Sequence, residues 1–156
     1  MVDNKFPPQG WIISVGGYMR KRTKARECAL QILYQVDVTS DDFQDSMRNY
    51  WAENEESQEI KDFAYRIVEG TCQKRADIDK LLTKYAENWA LSRMAVVDRN
   101  ILRMATYELL YCPDTPPKVC INEAVELAKK FSDVESGKFV NGILDRIHKE
   151  AKKDAS

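Results

Sequence analysis

The sequence predicts an all-α fold of about seven helices. Apolar residues recur three and four positions apart in one segment after another, which is the spacing of a helix face. No segment alternates apolar and polar residues for long enough to count as a strand. The segments follow each other closely, so short loops should join the helices. A domain of packed helices is therefore expected.

The stretch around which the other helices should pack is the predicted fifth helix, Ser92 to Tyr111. Its apolar residues occupy more than one side, as expected for a helix surrounded by other helices. Only one strip is left to face water, and it carries Asp98, Arg99 and Arg103. Ser92 is placed to cap the start of this helix. Three prolines prevent the helix from continuing: Pro113, Pro116 and Pro117.

The two ends of the chain differ from the helical part. Residues 1–18 have no helical period and contain two prolines and three glycines, so a flexible N-terminal extension is expected. Met19 stands directly before the first patterned sequence, which favours an upstream start codon as the origin of the extension. A helical domain over residues 19–150 and a charged tail over residues 151–156 complete the expected organisation.

The first helix begins in a basic run, Arg20 to Arg26, which holds five cations in seven residues. The run continues into a stripe of apolar residues at helical spacing: Ala25, Ala29, Ile32, Leu33 and Val36. At about 100° per residue, Tyr34 falls roughly 140° from the centre of that stripe. The sequence therefore predicts that Tyr34 is largely exposed.

The next three helices follow the same periodicity. A second helix ends near Asn54, inside a strongly acidic region, residues 37–62, to which the sequence assigns no role. A third begins after Ser57 and has Gly70 near its end. Asp77 is placed to cap a fourth helix.

Two more helices follow the central one. The sixth spans roughly residues 119–131, and Ser136 opens the seventh. Gly142 lies inside that last helix, where glycine is less favourable than alanine by about 1 kcal/mol. A close helix contact at Gly142 would explain why the position has no side chain.

Composition narrows the class of protein. The chain has 156 residues, enough for one domain with a sizeable core, and a net charge of -1 gives no overall attraction to nucleic acid. Four cysteines form no C-x-x-C pair and His148 is the only histidine, which argues against structural zinc. The cysteines are interpreted as buried thiols of a reducing compartment. The apolar run near the N-terminus is too short for a signal peptide or a membrane span, so a cytoplasmic protein is expected.

Motifs for catalysis are scarce. The sequence has no glycine-rich phosphate loop, no plausible pair of nucleophile and histidine, and no carboxylate cluster at metal-ligand spacing. Glu123 and Glu126 lie three positions apart and are interpreted as a solvated helix face. The sequence therefore predicts a non-enzymatic protein that requires no cofactor.

The basic run is the best candidate for a binding site. Its cations lie near a helix N-terminus, where they repel each other and oppose the helix dipole unless an anion neutralises them. A phosphodiester backbone is a suitable anion, and adjoining aromatic residues would favour single-stranded RNA, whose bases can stack on them. The alternative interpretation is a solubilising tail, because short basic runs are common at chain ends.

Four blocks of the sequence are distinctive: the basic run with Ala25–Tyr34, then Asp98–Leu110, Pro117–Phe131 and Lys138–Asp145. In this order they resemble the bacterial transcription antitermination factors of the NusB family. The resemblance implies a seven-helix, two-bundle fold. It also implies binding of boxA-type single-stranded RNA together with the small-subunit ribosomal protein NusE. The pair would act on the RNA polymerase elongation complex, notably at ribosomal RNA operons.

The resemblance also implies two sets of binding residues. RNA-binding residues map to Arg20, Lys21, Arg22, Lys24, Arg26, Glu135, Lys138 and Phe139. Residues that contact the partner protein map to Tyr34 and Asp98. The role of Phe139 stays open between RNA contact and core, because it also heads an apolar seam.

Two alternatives stay open for the function. One is a helical protein-interaction module with no role in RNA binding. The other is a stand-alone relative of the RNA-binding appendage of RNA cytosine methyltransferases, whose catalytic α/β domain has no counterpart in this sequence. The resemblance leaves open whether the free protein is a monomer or a homodimer, and residues 1–18 have no counterpart in the family.

Overall fold

The fold is all-α, as predicted. The structure is a computed structural model that describes residues 20–87 and 89–155, and no strand occurs among these residues. Seven α-helices make up this part of the chain: α1 Lys21–Thr39, α2 Phe43–Glu53, α3 Gln58–Gln73, α4 Arg75–Tyr85, α5 Val96–Tyr111, α6 Pro117–Phe131 and α7 Val134–Ala155. A short 3-10 helix, Leu91–Arg93, precedes α5. The sequence therefore predicted the number and order of these helices correctly.

The chain divides into two compact units, one up to Glu69 and one from Gly70, with the division inside α3. The predicted extension, residues 1–18, lies outside the described residues. At the other end, residues 151–155 continue α7 as helix.

In the first unit, α1 is buried on nearly every side. All residues from Ala25 to Tyr34 are buried, including the polar side chains of Arg26, Glu27 and Gln31. The predicted exposure of Tyr34 is wrong, because only 5% of this residue is accessible. The apolar stripe omitted Cys28 and Leu30, which are both 0% exposed and extend the buried surface around the helix.

In the second unit, α5 is the enclosed helix and packs against α4, α6 and α7. Residues 100–106 and Glu108 are buried, so the predicted central helix is confirmed within this unit. It starts at Val96, however, because Met94 and Ala95 have extended backbones. Ser92 lies in the preceding 3-10 helix and does not cap α5.

A buried ion pair links α4 to α5. Arg103 was expected to face water, but it is only 6% exposed. Its Nε lies 2.8 Å from Oδ1 of Asp79, and its Nη2 lies 3.2 Å from Oδ2 of the same carboxylate. The bidentate geometry explains how a guanidinium is accommodated in the helix interface.

Two helices, α4 and α7, begin earlier in the chain than predicted. Asp77 lies in the first turn of α4, where its charge complements the helix dipole, and Lys74 occupies the cap position. The α7 helix is capped by Asp133, whose Oδ1 accepts a hydrogen bond from the backbone N–H of Ser136 at 2.8 Å. Ser136 lies within the first turn of α7.

The close helix contact occurs at Gly70 and not at Gly142. A Cβ added at Gly70 would lie 1.9 Å from Cζ of Tyr107, so the tyrosine ring occupies the space of the missing side chain. A Cβ added at Gly142 would meet nothing within 4 Å. The expected contact at Gly142 is therefore wrong.

Candidate nucleic-acid interface

The basic run surrounds an aromatic side chain at the start of α1. The guanidinium carbon of Arg22 lies 4.5 Å from the centre of the Phe63 ring, and that of Arg26 lies 5.2 Å from it. Phe63 is on α3 and is 8% exposed. These cation–π contacts stabilise a concentration of positive charge that would otherwise repel itself.

Two lysines of the run are paired with glutamates from the acidic region. Lys21 Nζ lies 2.8 Å from Glu59 Oε2, and Lys24 Nζ lies 3.1 Å from Glu56 Oε1. Only 18% of the Lys24 side chain is exposed, whereas 40% of the Lys21 side chain is. Part of the acidic region thus neutralises the basic run, a role that the sequence did not assign.

The members of the basic run differ in their access to a ligand. Arg20 and Arg22 are exposed, but Arg26 is only 3% exposed. Arg26 was expected among the RNA-binding residues, and its burial leaves almost no surface for a phosphate. An open cleft of about 260 Å³ adjoins the run, and its wall contains three cations, two carboxylates and the aromatic ring: Lys21, Arg22, Arg66, Glu59, Asp62 and Phe63.

A second surface lies at the start of α7, in the other unit. Glu135 and Lys138 are both exposed, and Lys138 Nζ lies 3.4 Å from Glu135 Oε1. Phe139 is half-buried, and its ring centre lies 6.0 Å from that of Trp89. Both interpretations of Phe139, as core and as surface residue, therefore describe part of its environment.

Trp89 is a candidate that sequence reasoning missed. It lies in the connection between α4 and α5 and is 53% exposed. Its backbone N–H donates to the carbonyl oxygens of Ala86 at 3.2 Å and Glu87 at 2.7 Å, which holds the connection in place. The available signal was a large aromatic residue that falls between two predicted helices and belongs to the apolar stripe of neither.

Asp98, on α5, lies beside the start of α7. Its Oδ2 accepts a hydrogen bond from the Ser136 hydroxyl at 3.2 Å, while Oδ1 is buried and has no hydrogen-bond partner among the described residues. Burial raises the pKa of this carboxyl above its usual value. The Ser136 bond opposes that rise, and the nearby charge of Asp133 adds to it. Asp98 thus retains an acceptor for a donor that the chain does not supply there.

Three further features of the residues that the structure describes concern metal sites, membrane-spanning helices and thiols. Over residues 20–87 and 89–155, no group of three or more His, Cys, Asp or Glu side chains is arranged to hold a metal ion. Within the same residues, no helix combines the length and apolar character needed to cross a membrane. The four cysteines are free thiols, and three of them, Cys28, Cys112 and Cys120, are buried.

Fold and surface chemistry together define a class of protein: a helical binding protein with cations and aromatic side chains placed next to each other. Comparison with known proteins narrows that class. The family profile described as "NusB family" matches residues 23–149. The chain belongs to the NusB family.

Relatives at the sequence level share most of their length with this chain. It is 46% identical over 140 residues to the transcription antitermination protein NusB of Thermodesulfovibrio yellowstonii, covering 83% of this chain and 93% of that protein. It is 47% identical over 128 residues to the protein of the same name from Anaeromyxobacter dehalogenans, covering 81% and 89%.

Solved structures share the fold. NusB of T. maritima superposes with a TM-score of 0.75 at 41% identity, covering 83% of this chain and 91% of that one. A chain in the crystal structure of the antitermination factors NusB and NusE in complex with double-stranded RNA gives a TM-score of 0.78. That chain is 29% identical, and the match covers 85% of this chain and 98% of that one.

Proposed function

We propose that this protein is a non-enzymatic transcription antitermination factor that binds boxA-type single-stranded RNA together with NusE. The observation that carries this proposal is the exposure of Arg20 and Arg22, the second of which lies over the Phe63 ring. Guanidinium groups bind phosphate oxygens with two parallel hydrogen bonds, and their positive charge is retained at any physiological pH. Membership of the NusB family and the antitermination proteins among its relatives support the same function.

When RNA binds at the basic run, its phosphates would replace carboxylates that pair with the cations in the free protein. Lys21 and Glu59 form an exposed pair, which contributes little to stability and can be displaced by a phosphate. Arg22 stacks one face of its guanidinium on Phe63, and a phosphate would bind to the N–H groups in the plane of that guanidinium. Arg20, Arg22 and Lys21 would therefore contact RNA, while Arg26 and Lys24 would hold the run in position.

The second surface would contribute Glu135, Lys138 and Phe139 to RNA binding. Lys138 would contact a phosphate, and the exposed part of Phe139 would contact a base. Glu135, which pairs with Lys138, would set the position of that cation before RNA arrives.

NusE would bind at a face that includes Asp98. The buried acceptor Oδ1 favours a partner that supplies a hydrogen-bond donor, such as a lysine, an arginine or a backbone N–H. The resemblance also assigned Tyr34 to the partner protein, and its 5% exposure limits any direct contact to an edge of the residue. The complex would act in the cytoplasm on the RNA polymerase elongation complex.

The experiment measures the affinity of the full chain for a boxA-type RNA at several salt concentrations. We expect Arg20→Ala with Arg22→Ala to weaken binding by at least tenfold. The dependence of log affinity on log salt should fall by about 1.4, since each phosphate contact to a single strand contributes about 0.7. The matched control is Lys149→Ala with Lys153→Ala. It also removes two exposed cations, but from the C-terminal end of α7 and not from the basic run.

Equal losses in the two double variants would show that only net charge matters, and would remove the basic run from the proposal. A duplex of the same RNA sequence, measured in parallel, tests the preference for a single strand. Tighter binding of the duplex would contradict that preference.

A further inference from the structure

Gly142 has no packing reason to be a glycine. It lies in the interior of α7, is exposed, and would present an added Cβ to open space. Glycine is among the least favourable residues in a helix interior. The missing side chain therefore leaves this part of the helix surface open to a ligand.

This open surface is part of a cleft of about 370 Å³. Its lining contains three aromatic residues, two cations, one carboxylate and the glycine: Tyr85, Trp89, Phe139, Lys138, Arg146, Glu87 and Gly142. Pockets that bind small molecules usually range from about 300 to 1,000 Å³, so a single nucleotide fits this size.

The aromatic wall is open to a flat ligand. The Trp89 and Phe139 rings are tilted by 57° with centres 6.0 Å apart, so Phe139 does not cover the indole face as a parallel ring would. With 53% of the residue exposed, Trp89 retains a large apolar face in contact with water. A nucleobase is a ligand that such a face binds by stacking, whatever its sequence.

The cations of the cleft favour a nucleotide over an apolar protein segment. Arg146 Nη1 lies 3.1 Å from Glu87 Oε1 and also donates to the carbonyl oxygen of Tyr85 at 3.3 Å. Lys138 is paired with Glu135 at 3.4 Å. Both ion pairs are exposed, so a phosphate can replace the carboxylate at little cost.

We propose that the cleft formed by Trp89, Phe139 and Gly142 binds one unpaired base of the RNA, with Lys138 and Arg146 at the adjacent phosphates. The inference rests on the proposed function and adds to it a defined base-binding subsite. Its new residues are Trp89, Gly142 and Arg146, none of which the sequence or the family resemblance assigned to RNA binding.

The experiment uses the full chain and a boxA-type single-stranded RNA in which each base in turn is replaced by an abasic nucleotide. In the unaltered protein, we expect one abasic position to weaken binding by about tenfold, the usual size of one base–aromatic stack. In Trp89→Ala, binding of the intact RNA should be weaker by a similar factor. The abasic RNA should then bind no worse than the intact one.

Filling the cleft provides an independent test. Gly142→Leu should weaken RNA binding by about tenfold, because the new side chain occupies the space of the base. Asn141→Leu is the matched control, since it adds the same side chain at the neighbouring exposed position, which does not line the cleft. Thermal unfolding of both variants confirms that each is folded.

The outcomes separate this subsite from the proposed function. If the unaltered protein binds RNA and depends on Arg20 and Arg22, but Trp89→Ala and Gly142→Leu bind normally, the subsite is wrong and the function stands. If Trp89→Ala weakens binding of NusE and spares RNA, the cleft belongs to the protein partner and the subsite is equally overturned. If the unaltered protein binds no RNA, the function itself fails.

Discussion

At the scale of single residues, Gly70 is the position where the fold tolerates no side chain. The Tyr107 ring lies where a Cβ would be, with Cζ, Cε1 and the hydroxyl all within 2.3 Å of it. We expect Gly70→Ala to lower the free energy of unfolding by about 1–3 kcal/mol, because the ring must move within a packed environment. Urea denaturation measures this change.

Gly142→Ala is the matched control for that substitution. It adds the same methyl group inside another helix, where nothing lies within 4 Å of it. The gain in helix propensity should raise the free energy of unfolding by up to about 1 kcal/mol. Opposite signs for the two substitutions are expected, and an equal loss in both would show that the contact with Tyr107 is unimportant.

Cys28 is a buried thiol that should be inert. Its pKa is raised from 9.0 to about 11, mainly by burial and also by the charges of Glu56 and Glu27, while the Tyr50 hydroxyl and Lys24 act in the opposite direction. The thiolate is the reactive form, so native Cys28 should resist alkylation at pH 8, when half-exposed Cys72 reacts. Mass spectrometry of the alkylated protein identifies the modified residue, and faster labelling of Cys28 would contradict its assigned environment.

The same pKa predicts a loss of stability in alkali. Between pH 9 and pH 11 the unfolded chain releases the Cys28 proton while the folded chain keeps it, so stability falls as pH rises. The shift corresponds to about 2–3 kcal/mol across that range. The Tyr50 hydroxyl, whose pKa is also raised by burial, adds to the loss above pH 10. Urea denaturation of Cys28→Ala across this range should show a shallower decline, and an unchanged decline would refute the assignment.

Residue positions were predicted well where a single helix decides them and poorly where several helices do. Tyr34 was placed from the angular spacing of α1 alone, yet α1 is buried on nearly every side. Arg103 was placed on a polar strip, yet Asp79 from another helix draws it into the core. In both cases the missing information is tertiary, because helical periodicity does not say which faces are covered.

At the scale of the helices, the contact between α4 and α5 depends on the pair of Arg103 and Asp79. Asp79→Ala would leave a guanidinium that is 6% exposed without its bidentate partner. We expect a loss of about 3 kcal/mol in the free energy of unfolding, the usual cost of breaking a buried pair from one side. Urea denaturation of the variant and of the unaltered protein measures this change in the free energy of unfolding.

Asp145→Ala is the control for that substitution. Asp145 pairs with Lys149 at 2.9 Å within α7, and both side chains are largely exposed. Exposed pairs of this kind contribute less than about 1 kcal/mol. A loss at Asp79 no larger than the loss at Asp145 would mean that the buried pair does not stabilise the helix contact.

Helix order was predictable from sequence, but helix ends were less so. The order followed from the spacing of apolar residues, which each helix carries in its own sequence. The start of α5 moved from Ser92 to Val96 because Met94 and Ala95 adopt extended backbones. The start of α7 was predicted at Ser136 but lies at Val134, because Asp133 supplies the capping oxygen atom.

At the scale of the whole molecule, membership of the NusB family and the structure support the same function by different routes. Four sequence blocks indicated the family, and the structure adds what those blocks do not contain. Phe63, Glu56 and Glu59 are the partners of the basic run, and they come from α3 and the segment before it. Trp89 and Arg146 are absent from every block, and only the structure shows that they line a cleft together with Phe139.

The most direct test of the proposed function measures RNA binding by the full chain with and without purified NusE. In the proposed mechanism both proteins contact the RNA, so the two binding events must reinforce each other. We expect NusE to tighten RNA binding by at least tenfold, and RNA to tighten NusE binding by the same factor. An RNA affinity that NusE leaves unchanged would contradict the claim that the two proteins bind RNA jointly.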